Sequence, residues 1–206
     1  MLSRRVSAAA SRGVTLIETI VVLVVLTVLL AQVMPAASDW IRGLKVRNAA
    51  ESLRNGIERA RMEALKRNSR VSLWMVADPS SRVPGNSCVL SSASPAWVVS
   101  ALDPSGACAT EPSLTDAPQL VTRSGASESA DGISVSALSS TGGAANQVRF
   151  NGLGQVEVDA NSIQIVDVTA ANGSGRRLRV VVESGGAVRM CDRDVGSGDP
   201  RACPSL

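Results

Sequence analysis

The sequence has 206 residues, a formal net charge of +3 at pH 7 and no histidine. Without histidine, the chain can form neither a Ser–His nor a Cys–His nucleophile pair, and we therefore expect no enzyme. Three arginines near the N-terminus, Arg4, Arg5 and Arg12, account for the whole net charge. The remaining chain is balanced in charge, so its composition gives no indication of a nucleic-acid partner.

The most informative segment is the junction at residues 13–18, where Gly-Val-Thr-Leu-Ile-Glu separates an arginine-bearing start from an uncharged run at 19–38. That run is about long enough to span the ~30 Å hydrocarbon core of a bilayer. Within it, Pro35 lacks an N–H and is expected to kink the helix near the end of the span. A carboxylate near the bilayer centre costs ~2.5–3.5 kcal/mol, so an acidic residue in such a segment indicates a functional site. We expect the partner of Glu18 to be an amine.

This junction resembles the processing site of type IV prepilins and type II secretion pseudopilins, in which a short basic leader ends in glycine and a hydrophobic helix carries glutamate as its fifth residue. In that family a membrane-embedded aspartyl peptidase cuts after the glycine and methylates the new N-terminus. The resemblance implies cleavage after Gly13, N-methylation of Val14, and a salt bridge between Glu18 and the N-terminal amine of a neighbouring subunit. Val14 departs from the phenylalanine that is usual at its position.

An ordinary secretory signal peptide is the alternative interpretation of the N-terminus. Such a peptide has a basic end, an apolar core of about 7–15 residues and a small-residue cleavage site after that core. Here Gly13 precedes the apolar run, and the run is long enough to continue as a membrane helix. The order of these features favours a leader at residues 1–13 and a retained helix after it.

The helix is expected to continue beyond the membrane, with a transmembrane half at 14–38 and a periplasmic amphipathic half at 39–69. Apolar residues recur there at alternating steps of four and three, which is typical of one helix face. They are Val46, Ala50, Leu53, Ile57, Ala60 and Ala64. We expect Leu53, Ile57 and Ala64 to pack beneath the protein's own sheet, because a domain attached to a helix must be covered on one side.

The four cysteines form two local pairs, Cys88 with Cys108 and Cys191 with Cys203, without the C-x-x-C spacing of a zinc site. We expect two disulfides, which form in oxidising compartments. For a bacterial protein that compartment is the periplasm, so the chain is expected to be a single-pass protein of the inner membrane with a cytoplasmic leader. The two other pairings of four cysteines stay open. No metal and no other cofactor is expected.

From residue 70 onward, short β-branched segments alternate with Gly, Ser, Pro and Asp, which predicts a β-rich head at 70–206. The predicted strands lie at 71–77, 96–102, 119–123, 133–138, 147–150, 155–158, 163–168, 177–183 and 187–191. The last two flank Ser-Gly-Gly at 184–186, a sequence that favours a hairpin turn. The predicted fold class is α+β, with a long N-terminal transmembrane helix followed by a disulfide-containing antiparallel β-sheet head.

The head extends the resemblance beyond the leader. The Trp-Val-Val strand at 97–99, the segment Val-Arg-Phe-Asn-Gly-Leu-Gly at 148–154 and a final hairpin ending in cysteine are similar to the pseudopilin H and FimT/FimU group of minor pilins. This resemblance implies a subunit of the tip or priming complex of a type IV pilus or a type II secretion system. The implied partners are other major and minor pilins or pseudopilins, the prepilin peptidase and the inner membrane. Both machineries use the same leader and helix, so the choice between them stays open.

Binding of DNA for natural transformation is the alternative function. The FimT-type pilins that this chain resembles carry a Gly-Arg-x-Arg motif near the C-terminal hairpin. Two segments are candidates here, Gly-Arg-Arg-Leu-Arg at 175–179 and Gly-Ala-Val-Arg at 186–189, although alanine replaces the first arginine of the second. The candidate DNA-binding side chains are those of Arg176, Arg177, Arg179 and Arg189. The other interpretation is that they are solvated strand arginines or contacts to a neighbouring pilin.

Overall fold

In the part of the chain that the structure describes, one long helix is followed by nine strands. The computed structural model describes residues 13–125, 132–173 and 175–204, with the backbone alone described for 32–37. Helix α1 covers Leu16–Arg67. The chain divides into two units, Met1–Ser38 and Asp39–Leu206.

Helix α1 begins where Thr15 caps its first turn. The Thr15 hydroxyl accepts a hydrogen bond from the Glu18 N–H at 3.3 Å, which satisfies one of the backbone donors that a helix N-terminus leaves unpaired. Further along, the hydroxyls of Thr19 and Thr27 donate to carbonyl oxygens of the preceding turn at 2.7 and 2.8 Å. The threonine hydroxyls in this apolar part of the helix therefore find their partners within the helix itself.

Within the described residues, no helix combines the length and the apolar character that a membrane crossing requires. The transmembrane span at 14–38 therefore stays a prediction. Pro35 lies within α1, but its side chain falls outside the described residues, so the expected kink stays a prediction as well. The leader arginines Arg4, Arg5 and Arg12 also lie outside the described residues.

The later part of α1 buries one face against the strands. The predicted stripe is covered, with Leu53, Ile57 and Ala64 fully buried as expected. The helix ends because Asn68 adopts a left-handed conformation with φ 46°. The Ser69 N–H then bonds back to the Ala64 carbonyl at 3.2 Å, which is a common way to terminate a helix.

Trp97 sets how closely the helix approaches the sheet. Its indole lies against Gly56, where an added Cβ would come within 2.9 Å of the ring. The same indole donates its Nε1–H to the buried Ser52 hydroxyl at 2.9 Å, and Ser52 lies one helical turn before Gly56. Gly56 is therefore a point of close packing, and Trp97 is a core aromatic residue.

The nine strands form two antiparallel sheets. They are β1 (Val71–Ala77), β2 (Val89–Leu90), β3 (Trp97–Ser100), β4 (Leu120–Arg123), β5 (Ile133–Leu138), β6 (Gln147–Phe150), β7 (Ile165–Ala170), β8 (Leu178–Val182) and β9 (Val188–Asp192). The first sheet has the order β2-β1-β3-β4, with β6 also paired to β1, and the second has the order β5-β7-β8-β9. The buried face of α1 and both sheets share one apolar core, while a smaller core surrounds Cys88 and Cys108. The head is therefore α+β with antiparallel sheets.

One predicted strand is wrong, and one strand is found where none was expected. Residues 155–158 alternate like a strand, but Val156 makes only an isolated bridge, with Phe150. The Val156 N–H donates instead to the Ser184 carbonyl at 3.0 Å, so this segment divides its backbone hydrogen bonds between two neighbours. Strand β2 was not predicted because it has only two residues and lies in a stretch rich in serine and proline.

Candidate functional site

The predicted processing junction is exposed and irregular. Gly13, Val14 and Thr15 precede α1, and the Val14 side chain is 71% exposed. Among the described residues, nothing lies within 4 Å of the position that a Cβ on Gly13 would take. Gly13 and Val14 are therefore uncrowded by the described residues, and cleavage between them stays a prediction.

Glu18 is the one ionisable side chain among the described residues 13–31. It stands three residues after the capping Thr15, and Thr-x-x-Glu is the pattern of a capping box. A carboxylate in the first turn also interacts favourably with the partial positive charge of a helix N-terminus. Because the Glu18 side chain is exposed, the carboxylate is available to a cation from another molecule.

The helix residues that follow Glu18 present apolar surface in every direction. Each large aliphatic side chain at 20–30 is about half exposed. Successive side chains point about 100° apart around a helix, so a continuous apolar run leaves no polar face. A helix that is hydrophobic all round belongs in a protein core or in a membrane. This surface is the described feature that most requires a partner.

The four arginines predicted as a DNA-binding cluster are not brought together as free cations. Each is held by a carboxylate of a neighbouring strand or loop. The pairs are Arg176 with Asp192 (2.6 Å), Arg177 with Asp194 (2.5 Å), Arg179 with Asp167 (2.7 Å) and Arg189 with Glu183 (3.0 Å). The sequence pattern did not predict the aspartates that pair with the first three arginines, because these aspartates lie on other strands or loops.

The positive charge of Arg179 is neutralised by a carboxylate of the same chain. Asp167 accepts Arg179 through two guanidinium nitrogens, at 2.7 and 3.0 Å, and also accepts Arg193 at 3.0 Å. The hydrogen bonds that Arg179 donates to Asp167 raise the pKa of Arg179. Arginines that are neutralised within the chain offer little charge to a phosphate backbone, whose binding depends on releasing counterions. This balance favours structural ion pairs, and DNA binding by these residues stays a prediction.

Both local cysteine pairs are bonded in the structure. The bond between Cys88 and Cys108 is buried in the smaller core. The bond between Cys191 and Cys203 ties the loop after β9 back to that strand. The head contains few aromatic side chains, and such crosslinks supply stability that a modest core lacks.

Asp78 organises the loop between β1 and β2. Its carboxylate accepts hydrogen bonds from the hydroxyl and N–H of Ser80 (2.7 and 2.9 Å), the Ser87 hydroxyl (2.8 Å) and the Gly85 N–H (2.7 Å). These hydrogen bonds, with the Ser80 hydroxyl foremost, hold the pKa of Asp78 well below its ordinary value. The loop leads directly to Cys88, so Asp78 and the disulfide constrain the same segment.

The substitution Asp78→Asn is expected to lower the urea midpoint of unfolding at pH 7. A carboxyl group whose pKa is lower in the folded state contributes stability above its unfolded pKa, ~3.9, and loses that contribution as pH falls. The difference between the variant and the natural chain should therefore shrink at pH 3. Asp103→Asn is the matched control, because among the described residues only Ser105 donates hydrogen bonds to Asp103. A difference that stays equal at both pH values would contradict a role for the ionised carboxylate.

Two other features of the described residues were candidates for a site, a cluster of metal-ligating side chains and a cavity between arginines. No group of three or more His, Cys, Asp or Glu in the described residues is arranged to hold a metal ion. A cavity of about 290 Å³ is lined in part by Arg47, Arg176 and Arg201, but each of these pairs with a carboxylate of the chain. The hydrogen bond from Arg201 lowers the pKa of Asp199 to about 2, which marks this as an internal ion pair.

Comparison with known proteins assigns the chain to a family. Residues 49–186, more than half of the chain, match the family model described as "Type II transport protein GspH". Among solved structures, the chain is similar to the type IV minor pilin FimU of Pseudomonas aeruginosa strain PAO1, with 14% sequence identity and a TM-score of 0.41. That likeness covers 77% of this chain and 95% of the FimU chain. None of the curated proteins matches this chain.

Proposed function

The chain belongs to the GspH family of type II transport proteins, and we propose that it enters the tip or priming complex of a type II secretion filament or a type IV pilus. Proteins of this pilin-like family are structural, and the chain is not an enzyme. The observation that carries the proposal is the exposed apolar surface of α1 that follows Glu18. Lipid and the helices of other subunits are the two surroundings that suit such a surface.

We place residues 14–38 in the bacterial inner membrane as a single span. The leader at 1–13 stays on the cytoplasmic side, and the chain continues through the helical residues 39–69 to the head at 70–206 in the periplasm. The uncharged run at 19–38 supports the span. The two disulfides support the orientation, because disulfides form and persist in oxidising compartments.

Glu18 is proposed to direct assembly by pairing with an amine. Cleavage after Gly13 creates that amine at Val14, and N-methylation leaves it positively charged. Between apolar helices an unpaired carboxylate is costly, so the pair favours a neighbour whose N-terminus lies beside Glu18. The exposed carboxylate in an otherwise uncharged surface supports this role.

Processing is expected to yield an N-terminal peptide that begins at Val14 and carries one added methyl group. The peptide is identified by mass spectrometry of membranes from hosts with and without the prepilin peptidase. A Gly13→Val variant is the internal control. Because no described atom crowds Gly13, loss of cleavage in this variant reports on the peptidase and not on folding.

An intact Met1, or a cut beyond residue 38, in the presence of the peptidase would contradict the proposed processing. The two filament types are separated by a second measurement on the processed chain. Co-purification with sheared pili identifies a type IV pilus subunit, and co-purification with the secretion pseudopilus identifies a type II secretion subunit.

A further inference from the structure

Residues 39–45 form about two turns of α1 that the head leaves uncovered. Val46 is the first residue of the unit Asp39–Leu206 that is buried, and the residues before it are exposed or half-exposed. Three of these are large and apolar, namely Trp40 (68% exposed), Ile41 (49%) and Leu44 (40%). A tryptophan beside two exposed aliphatic residues forms an apolar patch. Such a patch indicates a partner, because removing each of these side chains from water lowers the free energy.

The same segment carries cations. Arg42 pairs with Asp39, whereas the exposed Lys45 makes no ion pair with any described residue. Tryptophan is enriched where a membrane meets water, because its ring is apolar and its N–H is polar. Lysine and arginine extend long apolar stems from such a boundary and place their charge in the polar layer. The composition of residues 39–45 is therefore typical of a membrane surface.

We propose that residues 39–45 are an interfacial anchor at the periplasmic surface of an anionic membrane. Trp40, Ile41 and Leu44 lie among the lipid headgroups, and Lys45 binds lipid phosphate. The inference rests on the proposed function, which places residues 14–38 in the membrane, and it adds what holds the end of that span at the membrane surface. Residue 39 follows the span directly in sequence. The helix of a neighbouring subunit would cover the apolar side chains equally well but offers no phosphate to Lys45.

The anchor determines which residues fill the hydrocarbon core. As a helix, the uncharged run at 19–38 covers ~30 Å at ~1.5 Å per residue, which matches the thickness of that core. With the span ending at residue 38, Glu18 lies within the proposed span at 14–38 but near the opposite membrane surface, away from the bilayer centre. The carboxylate then escapes the cost of central burial until it meets its partner.

Depth-dependent quenching of tryptophan fluorescence tests the anchor in the full chain reconstituted into phospholipid vesicles. Trp74 and Trp97 are buried in the head, so quenchers carried on lipids report mainly on Trp40. We expect strong quenching by a nitroxide near the headgroup and weak quenching by one near the end of the acyl chain. The variant Trp40→Phe should lose this quenching.

Flotation with the vesicles after an alkaline wash is measured in parallel and reports on the span itself. A chain that floats while neither nitroxide quenches Trp40 would overturn the anchor and leave the span intact. Stronger quenching by the deep nitroxide would also overturn the anchor, because it would place Trp40 within the hydrocarbon core. A chain that does not float would overturn the span and the anchor together.

The role of Lys45 is tested by adding anionic lipid to the same vesicles. We expect the anionic lipid to increase headgroup quenching of Trp40 in the natural chain but not in Lys45→Gln. Lys66→Gln is the control, because the Lys66 side chain is also exposed (78%) but lies in the last turn of α1 and pairs with Glu63 at 3.9 Å. An equal response in the Lys45 variant would overturn phosphate binding by that residue.

Discussion

Replacing Gly186 by alanine is expected to lower the free energy of unfolding of the head by ~3 kcal/mol or more. Gly186 ends the turn between β8 and β9 with φ 85°, a conformation that costs an L side chain ~1–2 kcal/mol. An added Cβ would also lie 2.2 Å from the Gly154 carbonyl oxygen. Because that oxygen belongs to the backbone, the hairpin or the turn at 151–154 has to move. A loss of this size is a large part of the ~5–15 kcal/mol that stabilises a typical domain.

Movement of the β8–β9 hairpin or of the turn at 151–154 also disturbs the hydrogen bonds of Arg61. The Arg61 guanidinium of α1 donates to the Gly154 carbonyl at 3.1 Å and to the Gly185 carbonyl at 3.4 Å. Arg61 thereby joins the helix to both turns. Displacing either turn weakens these hydrogen bonds, and each bond to a charged group contributes ~1.5–3 kcal/mol.

Two other glycines separate the causes of this loss. In Gly185→Ala the new Cβ meets nothing within 4 Å and φ is not positive, so almost no destabilisation is expected. In Gly173→Ala the space is also open but φ is 70°, so the backbone strain appears alone. Urea unfolding followed by circular dichroism measures all three variants. If Gly186→Ala were no less stable than Gly173→Ala, the clash with Gly154 would be excluded as a cause.

The sequence predicted features that depend on near neighbours along the chain. The buried stripe of α1 follows from its helical period, and the hairpin at 184–186 follows from turn chemistry. Neither signal distinguishes Gly185 from Gly186, because the constraint on Gly186 comes from Gly154 and Arg61, which are distant in sequence. The strand predicted at 155–158 is wrong for the same reason, because tertiary packing determines the backbone partners of this segment.

In the candidate site, too, the sequence predicted the features that depend on near neighbours and missed those that depend on distant residues. The junction at 13–18 is a local pattern and could be found in the sequence. The arginines at 176–179 also form a local pattern, but their charge depends on aspartates brought beside them by β7 and the loop after β9. The exposure of Trp40 could not be predicted from the sequence either, because it depends on where the head begins to cover α1.

Glu18 stands at a position where two physical roles overlap. Its N–H is held by the Thr15 hydroxyl, and a carboxylate in the first turn of a helix stabilises that helix by ~0.3–1 kcal/mol. A salt bridge to the amine of a neighbouring subunit would instead act between molecules. The first role predicts a weaker helix start when Glu18 is changed, and the second predicts a failure of assembly alone.

The variants Glu18→Ala and Glu18→Gln are expected to be cleaved and inserted normally but to fall at least ~tenfold in sheared filaments, which corresponds to ~1.4 kcal/mol. The matched control is Thr15→Val, which removes the cap at a cost of ~0.5–2 kcal/mol but keeps the carboxylate. Immunoblots of sheared and membrane fractions measure the ratio for each variant. Normal incorporation of Glu18→Gln would exclude the charge as the cause. An equal loss in Thr15→Val would assign the effect to the start of the helix, because that variant weakens the helix start and keeps the carboxylate that the salt bridge needs.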